Sequence, residues 1–173
     1  IIENYGKEFF IYVGYDPDDP IYQQKSQREK LTKIIIENNG TISWRQQNVE
    51  KGHVTRIWNN LGERAITDGF EYLYVLGDDI TLGDSARWSQ VWDTEWIVKL
   101  SNQNNIGFCA GYNGNPRLPT QFFIHRKHYD MLGFIYPPVI KAWGCDDWLF
   151  EIYKDYKKGK YMFLTSYKHL NIG

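Results

Sequence analysis

The sequence predicts one α/β domain built on a mostly parallel, twisted central sheet with helices on both faces. Three observations lead there. With 42% hydrophobic and 24% charged residues among 173, the chain has an ordinary globular composition and enough length for one core. Apolar, β-rich runs alternate with stretches of helical length in the order β-α-β-α-β, the pattern of parallel strands joined by crossover helices. No internal repeat, low-complexity tract or linker breaks that order.

The elements follow in turn. EFFIYVGY, Glu8–Tyr15, is an apolar run of the kind buried on both faces of a sheet. Asp16-Pro17-Asp18-Asp19-Pro20 ends it as a strong turn. A helix follows over about Gln23–Asn38 and is closed by Asn39-Gly40. Ile42–Gln47 is the second strand, His53–Gly69 a second helix stopped again by glycine, and Tyr72–Leu76 the third strand. Trp88, Val91, Trp92, Trp96 and Leu100 recur at helical spacing and read as a core stripe. Ile106–Ala110 and Gln121–His125 are further strands, Asp146–Lys157 a helix, and Tyr161–Leu164 a last strand.

Composition narrows the function. The net charge is −1 and no basic stripe stands out, so no nucleic-acid partner is expected. No apolar run is long enough to span a bilayer and no signal peptide is recognised, so a cytoplasmic chain without a membrane segment is expected. Cys109 and Cys145 show no metal-type spacing, and reduced thiols are the simpler reading. Aromatic residues reach 17%, which suits either core packing or stacking on sugar rings.

Two acid clusters carry the chemistry. Asp16, Asp18 and Asp19 follow the first strand, and Asp78 and Asp79 follow the third. In parallel sheets ligands sit at the carboxyl ends of strands. Adjacent carboxylates repel each other unless a cation or donor compensates. Hard oxygen ligands of this kind suit Mg²⁺ or Mn²⁺, which keep some waters and bind substrate phosphates. The plainer reading of each cluster is a solvated turn, which the prolines alone would explain for Asp16–Asp19.

The segment LGDDI resembles the DxD-type motif of GT-A fold glycosyltransferases, Rossmann-like enzymes that use nucleotide sugars and a divalent metal. Gly77 stands where that motif has its first acid. The resemblance implies that Asp79 holds Mn²⁺ (or Mg²⁺) on the donor diphosphate, with Asp78 near the ribose or sharing the metal. FIYVGYDPDDP is similar to the family's first strand, which implies a nucleotide pocket lined by Val13, Gly14, Tyr15 and Asp16. WNNLGERAITDG resembles the helix before the metal motif, which directs Asn59, Asn60, Gly62 and Arg64 toward base or diphosphate. Trp143-Gly144-Cys145-Asp146-Asp147 looks like the family's W-G-x-[DE]-D acceptor loop. That implies Asp147 as general base of an inverting transfer, with Asp146 beside it and Trp143, Gly144 and Trp148 around the acceptor. The bottom-up demand agrees, because a sugar hydroxyl must lose its proton as it attacks. Helix capping is the plainer role for both acids. His169 matches a C-terminal histidine that often completes the metal site. The resemblance spans nearly the whole chain as one domain, with a nucleotide half over about 1–84 and an acceptor half over about 85–173. It implies a UDP-sugar donor and a glycan or glycoprotein acceptor. In size and composition the chain is similar to small glycosyltransferase domains of large DNA viruses such as those infecting chlorella, which would place it in host cytoplasm.

Two other classes compete. Asp16-Pro17-Asp18 after a hydrophobic strand is similar to the nucleophile motif of haloacid-dehalogenase-type phosphatases, although Asp19 departs from it. A non-catalytic carbohydrate-binding module would use the Trp and Tyr residues and leave both acid pairs without a task.

Overall fold

A computed structural model describes residues 8–83, 92–112, 118, 120–154 and 162–171. Seven strands and five helices are formed by these residues: β1 Phe9–Tyr15, α1 Lys25–Glu37, β2 Gly40–Gln46, α2 Val54–Thr67, β3 Tyr72–Val75, β4 Ile80–Gly83, α3 Trp92–Ser101, β5 Phe108–Tyr112, β6 Phe122–His125, α4 Lys127–Leu132, α5 Cys145–Lys154 and β7 Met162–Asn171. Glycine and asparagine set several boundaries. Asn39 (φ 61) turns the chain from α1 into β2, and Gly69 (φ 97) closes α2.

The architecture is mixed α/β, and the sheet differs from the expected one. β1 and β2 form a two-stranded parallel sheet. The other strands form a five-stranded sheet in the order β3-β6-β5-β7-β4, in which only β5 and β7 are parallel neighbours. A single mostly parallel sheet is therefore corrected to a parallel pair beside a largely antiparallel sheet. The reason lies in the connections. β5 and β6 are joined by residues 113–121, too short a link for a crossover helix, so β6 returns antiparallel between β5 and β3. β3, β5 and β7 still run in one direction and present their carboxyl ends on one edge.

Burial follows the pleat. In the five-stranded sheet Leu73, Phe108, Ala110, Phe122 and Ile124 face one side, where α2, Ile135, Tyr136 and α5 cover them. Cys109 and Phe123 face the other, under Trp92, Trp96 and Leu100 of α3, with Tyr72 and Tyr74 packed alongside. The helical tryptophan stripe is thus core at 92, 96 and 100, while Trp88 and Val91 lie outside the described residues. In the small sheet, Trp44 of β2 donates from Nε1 to Thr32 Oγ1 of α1 at 2.9 Å. On the opposite face a Cβ added at Gly14 would lie 2.5 Å from Ile57 of α2, so glycine permits that helix to seat. Helix α2 also touches β3, where Gly62 lies beside Leu73, and so spans both sheets. No described helix is long and apolar enough to cross a membrane. Cys109 and Cys145 are buried free thiols.

Candidate functional site

The turn after β3 carries Asp78 and Asp79, both exposed. Gln121, buried at the start of β6, accepts the Gly77 N–H on its Oε1 at 3.1 Å and fixes the root of the turn. A Cβ at position 77 would stand 2.7 Å from Asp79 Oδ1, so the absent side chain leaves room for that carboxylate. Neither carboxylate has a hydrogen-bond or ion-pair partner among the described residues. Immediately afterwards β4 begins and pairs with the end of β7, with Ile80 opposite Asn171 and Leu82 opposite His169. His169 thus lies in the strand bonded to the one that Asp79 leads into, while its side chain is outside what is described.

The turn after β1 brings Tyr22 within electrostatic reach of this one. Asp19 Oδ1 accepts the backbone N–H groups of Ile21 (2.8 Å) and Tyr22 (2.6 Å), which closes the turn and orients Tyr22. The half-buried Tyr22 phenol is raised above its usual range, first by burial and then by the charges of Asp78 and Asp19. One tyrosine therefore feels both acid turns. Its ring packs on Trp44 at 5.6 Å, and Trp44 meets Tyr15 edge-on at 6.3 Å. The Arg28 guanidinium lies 5.3 Å from the centre of the Tyr15 ring and donates to the Tyr22 carbonyl. Asp18 is paired with Lys51 at 3.3 Å, and Asp16 supplies its backbone carbonyl to the Asp19 N–H. Val13 is a half-buried member of β1 facing Trp44 of β2 in register.

The WGCDD segment opens α5. Trp143 is 99% exposed, and Gly144 (φ 87) turns the chain into the helix. Asp147 is exposed. Asp146 points inward: burial, with a smaller push from Asp147, lifts its carboxyl to about 6 despite a hydrogen bond from the Cys145 thiol that lowers it. Its charge in turn reaches the fully buried Tyr136 phenol. Trp148 packs on Phe134 (5.8 Å) and His128 (6.1 Å), which makes it part of the α5 core face rather than an open platform.

Three expected residues are engaged elsewhere. Arg64 is paired with Asp68 at 2.7 Å in the last turn of α2, with Tyr12 donating to the same carboxylate at 2.6 Å. That is the end of α2 leading into the start of β3, opposite the edge bearing Asp78. Asn59 is engaged by the backbone of Ile135 and Tyr136, and Asn60 donates from Nδ2 to Gln47 Oε1 at 3.0 Å.

Tyr22, Trp44, Arg28 and Gln121 join the site although the sequence reading did not single them out. Their only local signal is proximity to the acid turns in the chain for Tyr22. The two exposed carboxylates, without an ion-pair partner among the described residues, are donors of the type that suits a hard cation. No group of three or more His, Cys, Asp or Glu is preformed for a metal among the described residues. Comparison with protein-family models, curated proteins and solved structures gives no match.

Proposed function

We propose that the chain is a GT-A-type glycosyltransferase that moves a sugar from a UDP-sugar to an acceptor hydroxyl of a glycan or glycoprotein, with inversion. The observation that carries this reading is Tyr22, whose N–H is held by Asp19 and whose phenol lies within electrostatic reach of Asp78. An aromatic near exposed carboxylates at strand ends, without a partner among the described residues, would be a place for a nucleotide diphosphate held through a cation. Asp79, with Asp78, would hold Mn²⁺ or Mg²⁺, and His169 is the further ligand that this reading assigns. The ion, when bound, supplies charge neutralisation for the departing diphosphate. Tyr15, Tyr22 and Trp44 offer the aromatic wall for the base, and Asp16 stands at the same strand end.

At the start of α5 the exposed Asp147 would take the acceptor proton, beside the exposed indole of Trp143. Asp146, turned inward, supports the loop rather than touching the acceptor. Substrate binding uses contacts that are ready beforehand, since Gln121 holds the metal turn and Asp19 holds Tyr22.

The test is calorimetry with UDP, followed by turnover assays on UDP-sugars. Tight UDP binding that requires Mn²⁺, and UDP release that requires an acceptor, support the reading. Hydrolysis of a generic phosphomonoester with Mg²⁺ points instead to a phosphatase. Metal-independent binding of free sugar without turnover points to a carbohydrate-binding module.

A further inference from the structure

Residues 133–144 carry the chain from α4 to α5 outside any helix or strand, yet Ile135 and Tyr136 are buried almost completely. Buried backbone groups without a ladder need partners. Asn59 of α2 supplies three. Its Oδ1 accepts the N–H groups of Ile135 (2.9 Å) and Tyr136 (2.8 Å), and its Nδ2 donates to the Tyr136 carbonyl at 2.7 Å. The Ile135 carbonyl is taken from the other side by His128 of α4, at 2.9 Å from Nε2. A carbonyl only accepts, so Nε2 carries the proton. Burial keeps this imidazole neutral, so Nδ1 accepts from the Tyr153 hydroxyl of α5 at 2.7 Å. Asn59 thus begins an unbroken line of hydrogen bonds from α2 through Ile135–Tyr136 to α4 and α5.

The same stretch of α2 carries the chain onward. The Trp58 ring packs on Tyr136 at 5.3 Å. His53 Nε2 contacts the Pro138 carbonyl at 3.2 Å, the Thr55 hydroxyl donates to the Ile140 carbonyl, and the Thr55 N–H donates to Lys141 at 3.1 Å. The hydrogen bonds from this helix to the loop end at Lys141; beyond it Ala142 accepts the Cys145 N–H at 3.3 Å, and Trp143 stands in solvent. Meanwhile Ile57 and Leu61 of this helix press on Gly14 of β1, and Gly62 lies beside Leu73 of β3. One helix therefore seats both strands that lead to the acid turns and the loop that leads to Asp146 and Asp147.

We propose that Asn59 is a positioning residue for the transfer step. It fixes Ile135–Tyr136 on α2, and so sets where the first turn of α5 stands relative to the donor end of the fold. This rests on the glycosyltransferase reading and adds to it a coupling between the two halves of the site. Asn59 touches neither donor nor acceptor, so its effect lies in catalytic geometry and not in nucleotide affinity.

Asn59→Ala and Asn59→Asp test this against the unchanged protein. Asn59→Asp keeps both accepted bonds and loses the donated one, and carries the test if the alanine variant does not fold. Three readings are taken: UDP affinity with Mn²⁺ by calorimetry, turnover of the UDP-sugar that supports transfer, and backbone hydrogen exchange. Asn59→Ala is expected to leave UDP affinity within about twofold and to lower kcat by about 10–100-fold, the scale of a small misplacement of a catalytic group. Exchange rises at Ile135 and Tyr136 and through residues 142–147, and Asn59→Asp falls between the two proteins. The proposal is overturned if faster exchange stops at Ile135–Tyr136, if kcat per folded molecule is unchanged, or if UDP affinity falls in step with kcat. Should the unchanged protein bind no UDP with Mn²⁺, the glycosyltransferase reading fails separately. The exchange at 142–147 then decides alone whether Asn59 governs that loop.

Discussion

Asp78–Asp79 and Asp146–Asp147 are the same dipeptide in two settings. The first lies in an open turn after β3, with both carboxylates exposed and without an internal counter-charge among the described residues. The second lies in the first turn of α5, where one acid faces solvent and the other is driven inward against Cys145 and Tyr136. Exposure leaves the first pair open to solvent, where carboxylate oxygens suit a hard cation. Partial burial separates the members of the second pair: Asp147 stays at the surface while the Asp146 carboxyl is pushed up to about 6. Environment, and not residue type, distinguishes the two pairs, and the proposed reading gives the first to the metal and the second to the acceptor proton.

The largest way to break this contrast is at the metal pair. Asp79→Asn removes a charge and almost no volume, and is expected to abolish transfer and weaken UDP binding in Mn²⁺ by at least about 100-fold, with the fold intact by circular dichroism. Unchanged turnover would remove Asp79 from the site. At the other pair, Asp147→Asn is expected to lower turnover by about 10²–10⁴-fold, the usual contribution of a general base, with UDP and Mn²⁺ binding as before. A fully active but less stable variant would leave Asp147 as a helix cap worth about 0.5–2 kcal/mol.

Asp146 sharpens the contrast through pH. Its folded-state pKa is raised from 3.8 to about 6, so burial disfavours the charged form. The native state is favoured while the group keeps its proton. Its stability falls as pH rises from about 4 through about 6 and stays lower above that. Asp146→Asn keeps the capping chemistry and removes this penalty. It should raise stability at pH 7–8 by about 1–3 kcal/mol and change little at pH 4, as melting curves at both pH values would record. A melting temperature unchanged at pH 7–8 would mean that Asp146 is not buried as described. The smallest expected effect is at His169. His169→Ala should raise the Mn²⁺ concentration needed for half-maximal turnover by a few-fold and leave the donor KM unchanged at saturating metal. Identical metal titrations would exclude it as a ligand.

Much of the frame was legible because its signals are local. The apolar runs of β1 and β3, the helices between them and the stops at Asn39-Gly40 and Gly69 can be read without partners. The sheet order was not, since periodicity identifies a strand and not its neighbour. The missing crossover between β5 and β6 was the readable clue. β4 is four residues long and merges with the acid turn, and the polar stretch after Leu164 reads as a loop until β4 and β5 pair with it. In the site, both acid pairs could be found by their position at a strand end or a helix start. Gln121 could not, because it acts on backbone 44 residues away, and Asn59, expected at the base or diphosphate, instead holds backbone 76 residues away. Arg64 shows the reverse case: a basic residue before a metal-type motif looks like a phosphate ligand, yet Asp68 four residues on engages it.

In the proposed reading the two aspartate pairs divide the work, one holding donor and metal and the other handling the acceptor proton. The most direct test is to measure UDP affinity by calorimetry, with and without Mn²⁺, for the unchanged protein, Asp79→Asn and Asp147→Asn side by side. Mn²⁺-dependent binding is expected in the unchanged protein and in Asp147→Asn, and its loss in Asp79→Asn. Metal-independent binding throughout, or equal weakening in both variants, would contradict that reading.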